Sequence, residues 1–136
     1  MKIVLMSHFT LAEGLKNTLS YFNPVAGDSI TAISAYINDC DPQVEFAKVM
    51  EEVGEDELVI VFTDIMGGSV NQLTLPYLGR PNFYVFAGMN LGMLLQATCL
   101  LGDETPEQIK DLANVGKEAV VCMNDYKFEA YDDEDE

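Results

Sequence analysis

The chain has 136 residues, of which 49% are hydrophobic, and this predicts a single globular domain with one core. Its net charge of −16 argues against a nucleic acid partner, because binding to phosphates requires lysine and arginine side chains. No apolar run reaches the roughly 18 residues of a membrane span, no signal peptide is indicated, and the three cysteines form no Cys-x-x-Cys pair. We therefore expect a cytoplasmic protein without disulfides or a metal site.

The first part of the chain predicts two strands separated by a helix. Residues 2–7 form a short, nearly continuous apolar run with β-branched residues, as expected of a strand that is buried on both faces. Thr10 and Glu13 form a Thr-x-x-Glu capping box, and leucines at helical spacing follow until Pro24 stops the helix. Residues 29–35 form the second predicted strand.

The middle of the chain predicts a helix, a strand and a second helix. Asp41 is typical of an N-cap, and the helix that it opens ends at Gly54. Residues 57–63 form the clearest buried strand. This strand leads through the sequence Asp-Ile-Met-Gly-Gly-Ser, at 64–69, into a helix that is broken near Pro76.

The remaining elements end in an acidic tail, which divides the chain into a domain at 1–124 and a tail at 125–136. The tail has seven acidic residues and one lysine, and its last five residues are all charged, so we expect it to be mobile. The predicted elements before it are a strand at 82–87, a helix at 90–101, a helix from Thr105 to about residue 116 and a short strand at 119–123.

Strands that alternate with helices predict an α/β fold, a mostly parallel, doubly wound sheet with helices on both faces. In the flavodoxin-like strand order 2-1-3-4, the first and third strands are neighbours where the order reverses. Ligands of such sheets bind beyond the carboxyl ends of the strands at this point. His8 and Asp64 follow the first and third strands, so we expect them to meet there.

His8 is the only histidine, and single histidines in small proteins are often structural. Its place between a buried strand and a helix favours chemistry instead. A neutral imidazole is a nucleophile towards phosphorus when one ring nitrogen is free and the other keeps its proton. Asp64 would accept a hydrogen bond from Nδ1–H, which fixes this tautomer and leaves Nε2 to attack. The alternative for Asp64 is a plain turn residue.

Gly67, Gly68 and Ser69 form either a simple tight turn or an anion site before the next helix. Two glycines without side chains would let a phosphoryl group approach the backbone closely. The sequence contains neither a nucleotide P-loop nor a dinucleotide motif. It therefore predicts phosphate binding without a bound cofactor, with another protein as the phosphoryl donor.

Three motifs together resemble the IIA components of mannose-type (mannose/fructose/sorbose) phosphoenolpyruvate-dependent sugar phosphotransferase systems. The resemblance extends from residue 2 to about residue 123. The motifs are Ile-Val-Leu-Met-Ser-His-Phe-Thr-Leu-Ala-Glu-Gly-Leu at 3–15, Phe-Thr-Asp-Ile-Met-Gly-Gly-Ser-Val-Asn at 62–71 and Phe-Ala-Gly-Met-Asn-Leu-Gly-Met-Leu at 86–94.

This resemblance implies a phosphocarrier for sugar uptake. His8 would accept a phosphoryl group on Nε2 from the phosphocarrier HPr and donate it to a IIB domain, with membrane IIC and IID components as indirect partners. Asp64 would orient the ring, and Ser69 with its two glycines would hold the phosphate. The family also implies a homodimer that exchanges an antiparallel last strand. Phe9 departs from the pattern, since the family most often has glycine there, and a ring at this position would affect access or the IIB interface.

Three other interpretations stay open. The phosphotransfer subunit of dihydroxyacetone kinase resembles the same fold and also uses a histidine near its N-terminus. A receiver-like signalling module would be phosphorylated on Asp64, but it would need acidic residues for magnesium where Ser7 and His8 stand. The third interpretation is a regulatory domain of the same fold that carries no phosphate.

Overall fold

The structure, a computed structural model, describes residues 1–128 and contains one four-stranded sheet. All neighbouring strands pair in parallel, in the order β2-β1-β3-β4. The predicted α/β fold with strand order 2-1-3-4 is therefore confirmed. The strands are β1 (Lys2–His8), β2 (Thr31–Ala35), β3 (Val59–Thr63) and β4 (Phe83–Ala87).

Helices cover both faces of the sheet. Among residues 1–128, no helix is long and apolar enough to cross a membrane. The helices are α1 (Leu11–Phe22), α2 (Pro24–Ser29), α3 (Pro42–Glu52), α4 (Ser69–Gln72), α5 (Leu91–Ala97), α6 (Pro106–Lys110) and α7 (Leu112–Glu118), with a 3₁₀ turn at Leu75–Tyr77 between α4 and β4.

Each face of the sheet has its own apolar cluster. Side chains alternate along a strand, so Ile3 and Leu5 of β1 face one cluster while Val4 and Met6 face the other. The first cluster is completed by α1, α5, α6 and α7, and the second by α3 and α4. Burial on both faces explains why β1 and β3 are continuous apolar runs in the sequence.

The start of α1 differs from the prediction. Thr10 is the N-cap residue, but its side chain makes no capping hydrogen bond, so the predicted Thr10–Glu13 capping box is not formed. Instead, the buried hydroxyl of Ser7 accepts a hydrogen bond from the N–H of Ala12 at 2.7 Å. A strand residue thus satisfies a free N–H of the first helical turn. This bond ties the end of β1 to the start of α1 and holds His8 between them.

Two other predicted helix starts are confirmed. Asp41 accepts a hydrogen bond from the N–H of Gln43 at 3.0 Å, with proline in the first turn. Thr105 and Gln108 form a reciprocal capping box at the start of α6. In both caps, donor and acceptor are neighbours in sequence, so local geometry is enough to bring them together.

The last third of the chain differs most from the prediction. The helix predicted at 90–101 ends at Ala97, and the strand predicted at 119–123 is not a strand in the single chain. Val120 and Met123 are 76% and 58% exposed. An apolar run needs a neighbouring strand for its hydrogen bonds, and no neighbour in the described part of this chain pairs with it. From residue 129 onwards, the acidic tail lies outside the described residues, so its predicted mobility stays a prediction.

Candidate active site

His8 and Asp64 lie side by side at the carboxyl ends of β1 and β3. The two strands pair in register, with Met6 opposite Thr63, so the residues that follow are neighbours. Nδ1 of His8 lies 2.8 Å from Oδ2 of Asp64, and the backbone N–H of His8 donates to the same oxygen at 2.7 Å. The structure therefore brings together the two residues that the sequence predicts to meet.

Asp64 is a buried carboxylate that accepts three hydrogen bonds. Besides the two from His8, its Oδ1 accepts the N–H of Ile65 at 2.8 Å, and the Asp64 side chain is only 8% exposed. Burial by itself would raise the pKa of Asp64, but the hydrogen bonds from His8 and Ile65 together lower it below its usual value. An ionised carboxylate can only accept, so Nδ1 of the neutral ring must carry the proton and Nε2 a free lone pair.

Nε2 of His8 faces the hydroxyl of Ser69, the first residue of α4. The distance from Nε2 to the Ser69 oxygen is 3.2 Å. The His8 side chain remains 40% exposed, in contrast to that of its carboxylate partner. One ring nitrogen is thus held by a buried charge, while the other lies at the surface beside a hydroxyl donor.

Gly67 and Gly68 shape the loop between β3 and α4. Gly67 has φ +76°, a conformation that costs glycine little, and its N–H donates to Oδ1 of Asn71 at 3.0 Å. The N–H of Gly68 donates to the carbonyl of Ile65 at 3.0 Å. A Cβ on Gly68 would lie 3.5 Å from Cε1 of His8 and would fill the space beside the ring. Both glycine N–H groups are used within the loop, so the donor placed beside Nε2 is the Ser69 hydroxyl.

Asn71 braces this loop against the sheet. Its side-chain oxygen accepts from Gly67, and its Nδ2 donates to the hydroxyl of Thr63 at the end of β3, at 2.9 Å. The predicted motif at 62–71 contains Asn71 without giving it a role. Its two contacts link the glycine turn to the strand that carries Asp64.

Tyr36 is part of the site, and sequence reasoning missed it. It follows Ala35, which pairs with His8 in the register of β1 and β2. Its hydroxyl lies 2.7 Å from the Ser69 oxygen, and its ring centroid lies 5.6 Å from that of the histidine. The predicted strand order 2-1-3-4 places the residue after β2 next to His8, so the order alone could have identified Tyr36 as a site residue.

Phe9 directly follows His8 and is 67% exposed. Its φ is +55°, in the left-handed region that bulky residues rarely adopt. Its N–H donates to the carbonyl of Ala35 at 3.1 Å, which continues the pairing of β1 with β2 by one residue. A positive φ explains physically why glycine would be common at this position in the family that the sequence resembles.

Apolar side chains are exposed on the loops that follow β1, β2 and β3. Besides Phe9, the loop residues Ile65 and Met66 are 64% and 83% exposed, and Tyr36 is 58% exposed. Within residues 1–128, no group of three or more histidine, cysteine, aspartate or glutamate side chains is placed to hold a metal ion. The chemistry that the described residues support by themselves is nucleophilic attack by Nε2, with hydrogen-bond donors for an anion next to it.

Comparison with known proteins gives one family and a set of similar structures. The family model described as "PTS system fructose IIA component" matches residues 2–115. No curated protein matches at a significant level.

Several solved structures share the fold over nearly the whole chain. A Klebsiella pneumoniae protein, provisionally assigned as a permease of the phosphoenolpyruvate-dependent sugar phosphotransferase system, is 27% identical. The match has a TM-score of 0.76 and covers 91% of each chain. The mannose/sorbose-specific IIA subunit of Enterococcus faecalis is 25% identical, with a TM-score of 0.77 over 94% of this chain and 98% of that one. A phosphotransferase component EIIA of Streptococcus agalactiae is 20% identical, with a TM-score of 0.71 over 90% and 97%, and shows the fold alone.

Proposed function

Because the chain belongs to the family of fructose IIA components of the sugar phosphotransferase system, we propose that it is a phosphocarrier that accepts a phosphoryl group on Nε2 of His8. The observation that carries this proposal is the 2.8 Å hydrogen bond between Nδ1 of His8 and Asp64. It holds the proton on Nδ1 and leaves the Nε2 lone pair directed away from the carboxylate. This step involves only the phosphoryl donor and His8, and no sugar takes part in it.

In the proposed reaction, the lone pair of Nε2 attacks phosphorus while the bond from phosphorus to the donor breaks, and its electron pair stays with the donor. The imidazole gains positive charge as the new bond forms. Asp64, ionised and 2.8 Å away, stabilises that charge without a change in its own position. The same charge makes the imidazole a good leaving group in the onward transfer, when the next nucleophile attacks phosphorus and the electron pair of the bond to Nε2 returns to the ring.

We assign phosphate binding to Gly67, Gly68 and Ser69. The Ser69 hydroxyl, 3.2 Å from Nε2, would turn from the nitrogen to a phosphoryl oxygen as the bond to phosphorus forms, because that bond uses the same lone pair. Gly68 keeps open the space beside Cε1 of His8, and Gly67 provides the turn that places Ser69. The two glycines thus act mainly through shape, because their N–H groups already have acceptors within the loop.

Burial separates this proposal from phosphorylation on Asp64, as in a receiver-like module. Both hydrogen bonds from His8 occupy Oδ2 of Asp64, and the N–H of Ile65 occupies one lone pair of Oδ1, so attack by this carboxylate would compete with these bonds. The side chain of Asp64 is 8% exposed, whereas that of His8 is 40% exposed. The histidine is therefore the better acceptor on grounds of access.

The proposed donor is HPr and the proposed acceptor a IIB domain, both reached in the cytoplasm, with membrane IIC and IID components beyond them. A protein partner fits the loops that follow His8 and Asp64, where Phe9, Ile65 and Met66 expose apolar side chains. The net charge of −16 favours a basic partner through electrostatic steering. Phe9 would lie in both interfaces, since it is the residue next to the histidine.

The exchanged last strand remains part of the proposal. β4 is an edge strand, with backbone groups on one side that pair with no strand in residues 1–128. Residues 119–123, exposed in the single chain, would add to the β4 edge of a second copy as an antiparallel strand. Light scattering at micromolar concentration is expected to give a homodimer, and a monomer would contradict this. Removing residues after Asp125 should leave the dimer intact.

The function is tested by incubating the chain with phosphoenolpyruvate, enzyme I and HPr and measuring its intact mass. We expect one added phosphoryl group, lost in acid and stable in base, and none in the His8→Ala variant. Phosphorylation that persists in that variant would refute the assignment. Onward transfer to a IIB domain, compared with transfer to dihydroxyacetone kinase subunits, separates the sugar-transport function from its nearest rival.

A further inference from the structure

A chain of three hydrogen bonds runs through the site from Tyr36 to Asp64. The Tyr36 hydroxyl lies 2.7 Å from the Ser69 oxygen, that oxygen lies 3.2 Å from Nε2 of His8, and Nδ1 lies 2.8 Å from Asp64. The four side chains come from the ends of three strands and the start of α4. The tertiary fold, and not local sequence, therefore builds the chain.

The charge on Asp64 fixes the direction of every bond in this chain. An ionised carboxylate only accepts, so Nδ1 of His8 donates to it, and in the neutral ring, the form that attacks phosphorus, Nε2 has no proton. Nε2 must then accept from the Ser69 hydroxyl. Ser69 has a single proton to give, so its oxygen is left to accept from the Tyr36 hydroxyl. The tyrosine is the first donor in a line that ends at the carboxylate.

The backbone at Tyr36 indicates that its position is not set by packing. Its φ is +67°, which is costly for a bulky residue, and its side chain is 58% exposed, so little burial offsets the strain. Its N–H donates to the carbonyl of Cys40 at 3.3 Å, which closes the turn after β2. Strain of this kind is typical of functional sites. The turn delivers the hydroxyl to Ser69 and the ring to within 5.6 Å of the histidine.

We propose that Tyr36 is a positioning residue that orients the Ser69 hydroxyl first towards Nε2 of His8 and then towards the phosphoryl group. This inference rests on the proposed function. In the resting site, the tyrosine proton occupies one lone pair of the serine oxygen and directs the serine proton to the imidazole. Hydrogen bonds in a line polarise one another, so the tyrosine also makes Ser69 a stronger donor.

During transfer, no proton leaves this line. The bond from Nε2 to phosphorus forms as the bond from phosphorus to the donor breaks, and the Ser69 proton turns from Nε2 to a phosphoryl oxygen. The tyrosine keeps donating to Ser69 before and after the step. Its contribution therefore reaches the reacting atoms only through Ser69, and this separates a positioning role from a direct contact with phosphate.

The test removes the hydroxyl and keeps the ring, in the variant Tyr36→Phe. We expect the rate of transfer from phosphorylated HPr to fall about three- to tenfold, as for the loss of one neutral hydrogen bond. The matched control is Tyr21→Phe, an 81% exposed tyrosine on α1, which should transfer at the wild-type rate. A wild-type rate in Tyr36→Phe would overturn the proposal.

A double-mutant cycle tests whether Tyr36 acts through Ser69. In the Ser69→Ala background, Tyr36→Phe should cause no further loss, because the hydroxyl that it orients is gone. An equal loss in both backgrounds would show that tyrosine acts on the phosphate or the partner directly. That result would overturn the inference and leave the proposed function standing.

A second test measures the ¹⁵N resonances of the His8 ring in the unphosphorylated protein, and it needs no phosphoryl donor. In Tyr36→Phe, the Nε2 resonance should move towards that of a nitrogen that accepts no hydrogen bond, in the same direction as in Ser69→Ala. Nδ1 should keep its proton, since Asp64 is unchanged. An Nε2 resonance that moves only in Ser69→Ala would overturn the inference. A wild-type chain that takes no phosphate would instead refute the proposed function.

Discussion

Replacing Asp64 by asparagine is the sharpest test of the proposed site, because it keeps the size of the side chain and removes its charge. The carboxylate accepts two hydrogen bonds on Oδ2, both from His8, and one on Oδ1, from Ile65. An asparagine carbonyl at the Oδ2 position can still accept both bonds from His8. The NH2 group of the asparagine would then face the N–H of Ile65, so that two donors point at each other and no hydrogen bond forms.

The opposite orientation of the new side chain is worse. It would keep the bond to Ile65 but place the amide group against two donors, the backbone N–H and Nδ1–H of His8. We therefore expect Asp64→Asn to keep its carbonyl towards the histidine, with the same ring tautomer. The variant loses the negative charge and one hydrogen bond to a loop N–H, and it should fold.

The loss of charge sets the size of the effect. A charge-assisted hydrogen bond contributes about 1.5–3 kcal/mol. If that contribution is realised in the transition state, where the ring becomes positive, transfer slows about ten- to 150-fold. The Asp64 side chain is only 8% exposed and offers a partner little contact area. The loss should therefore appear in the rate at saturating HPr, with little change in the apparent affinity.

Rapid quenching of single turnovers from phosphorylated HPr measures both quantities. The matched control is Asp56→Asn, which removes the same charge from an exposed residue before β3, at the far end of the strand that leads to Asp64. The control should lose less than twofold in rate through steering alone. A wild-type rate in Asp64→Asn would refute the partnership with His8. So would a loss confined to affinity.

The same variant predicts a pH dependence of stability. Folding lowers the pKa of Asp64, because the hydrogen bonds from His8 and Ile65 outweigh the cost of burial. A lowered pKa means stability that is present above the unfolded value of about 3.9 and lost as the pH falls through the folded value. The difference in free energy of unfolding between wild type and Asp64→Asn should therefore shrink as the pH falls below about 3.9. A difference that stays constant in denaturant titrations would contradict the lowered pKa.

Two further predictions concern backbone conformation and are measured by chemical denaturation. Gly14 and Gly67 both have open space where a Cβ would stand, but only Gly67 has a positive φ. Gly14→Ala should raise the free energy of unfolding by about 0.5–1 kcal/mol, and Gly67→Ala should lower it by about 1–2 kcal/mol; equal signs would be inconsistent with the turn. Phe9→Gly should be more stable than Phe9→Ala by about 1 kcal/mol, since only glycine relieves the strain at φ +55°, and the reverse order would count against that strain.

The strand order and the meeting of His8 with Asp64 could be predicted because both depend on long-range rules with few alternatives. Alternating strands and helices restrict the chain to a parallel sheet, and order 2-1-3-4 makes the first and third strands neighbours. Once β1 and β3 are paired, the residues at their carboxyl ends must lie next to each other. The distance of 2.8 Å between the two side chains follows from that register.

Helix starts were predicted well only where local contacts decide them. At α6, Thr105 and Gln108 cap one another, as their spacing predicts. At α1, the equally good pattern at Thr10 fails, because Ser7 lies buried at the end of β1 and reaches the N–H of Ala12 first. A motif of four residues contains no information about a hydroxyl that the sheet supplies from the other side.

Tyr36 was missed for a related reason. A residue with positive φ directly follows three of the four strands: Phe9 after β1, Tyr36 after β2 and Gly88 after β4. The fourth, β3, is followed by the loop that contains Gly67, with φ +76°. These residues turn the chain sharply at the carboxyl edge of the sheet, where the ligand of such a fold lies. Propensity predicts glycine or asparagine at such points and gives no reason for an aromatic ring. Tyr36 therefore looked like an ordinary loop residue, and Phe9 stood out only as a departure from the family pattern. The strain at both, together with the hydrogen bond from Tyr36 to Ser69, marks them as parts of the site.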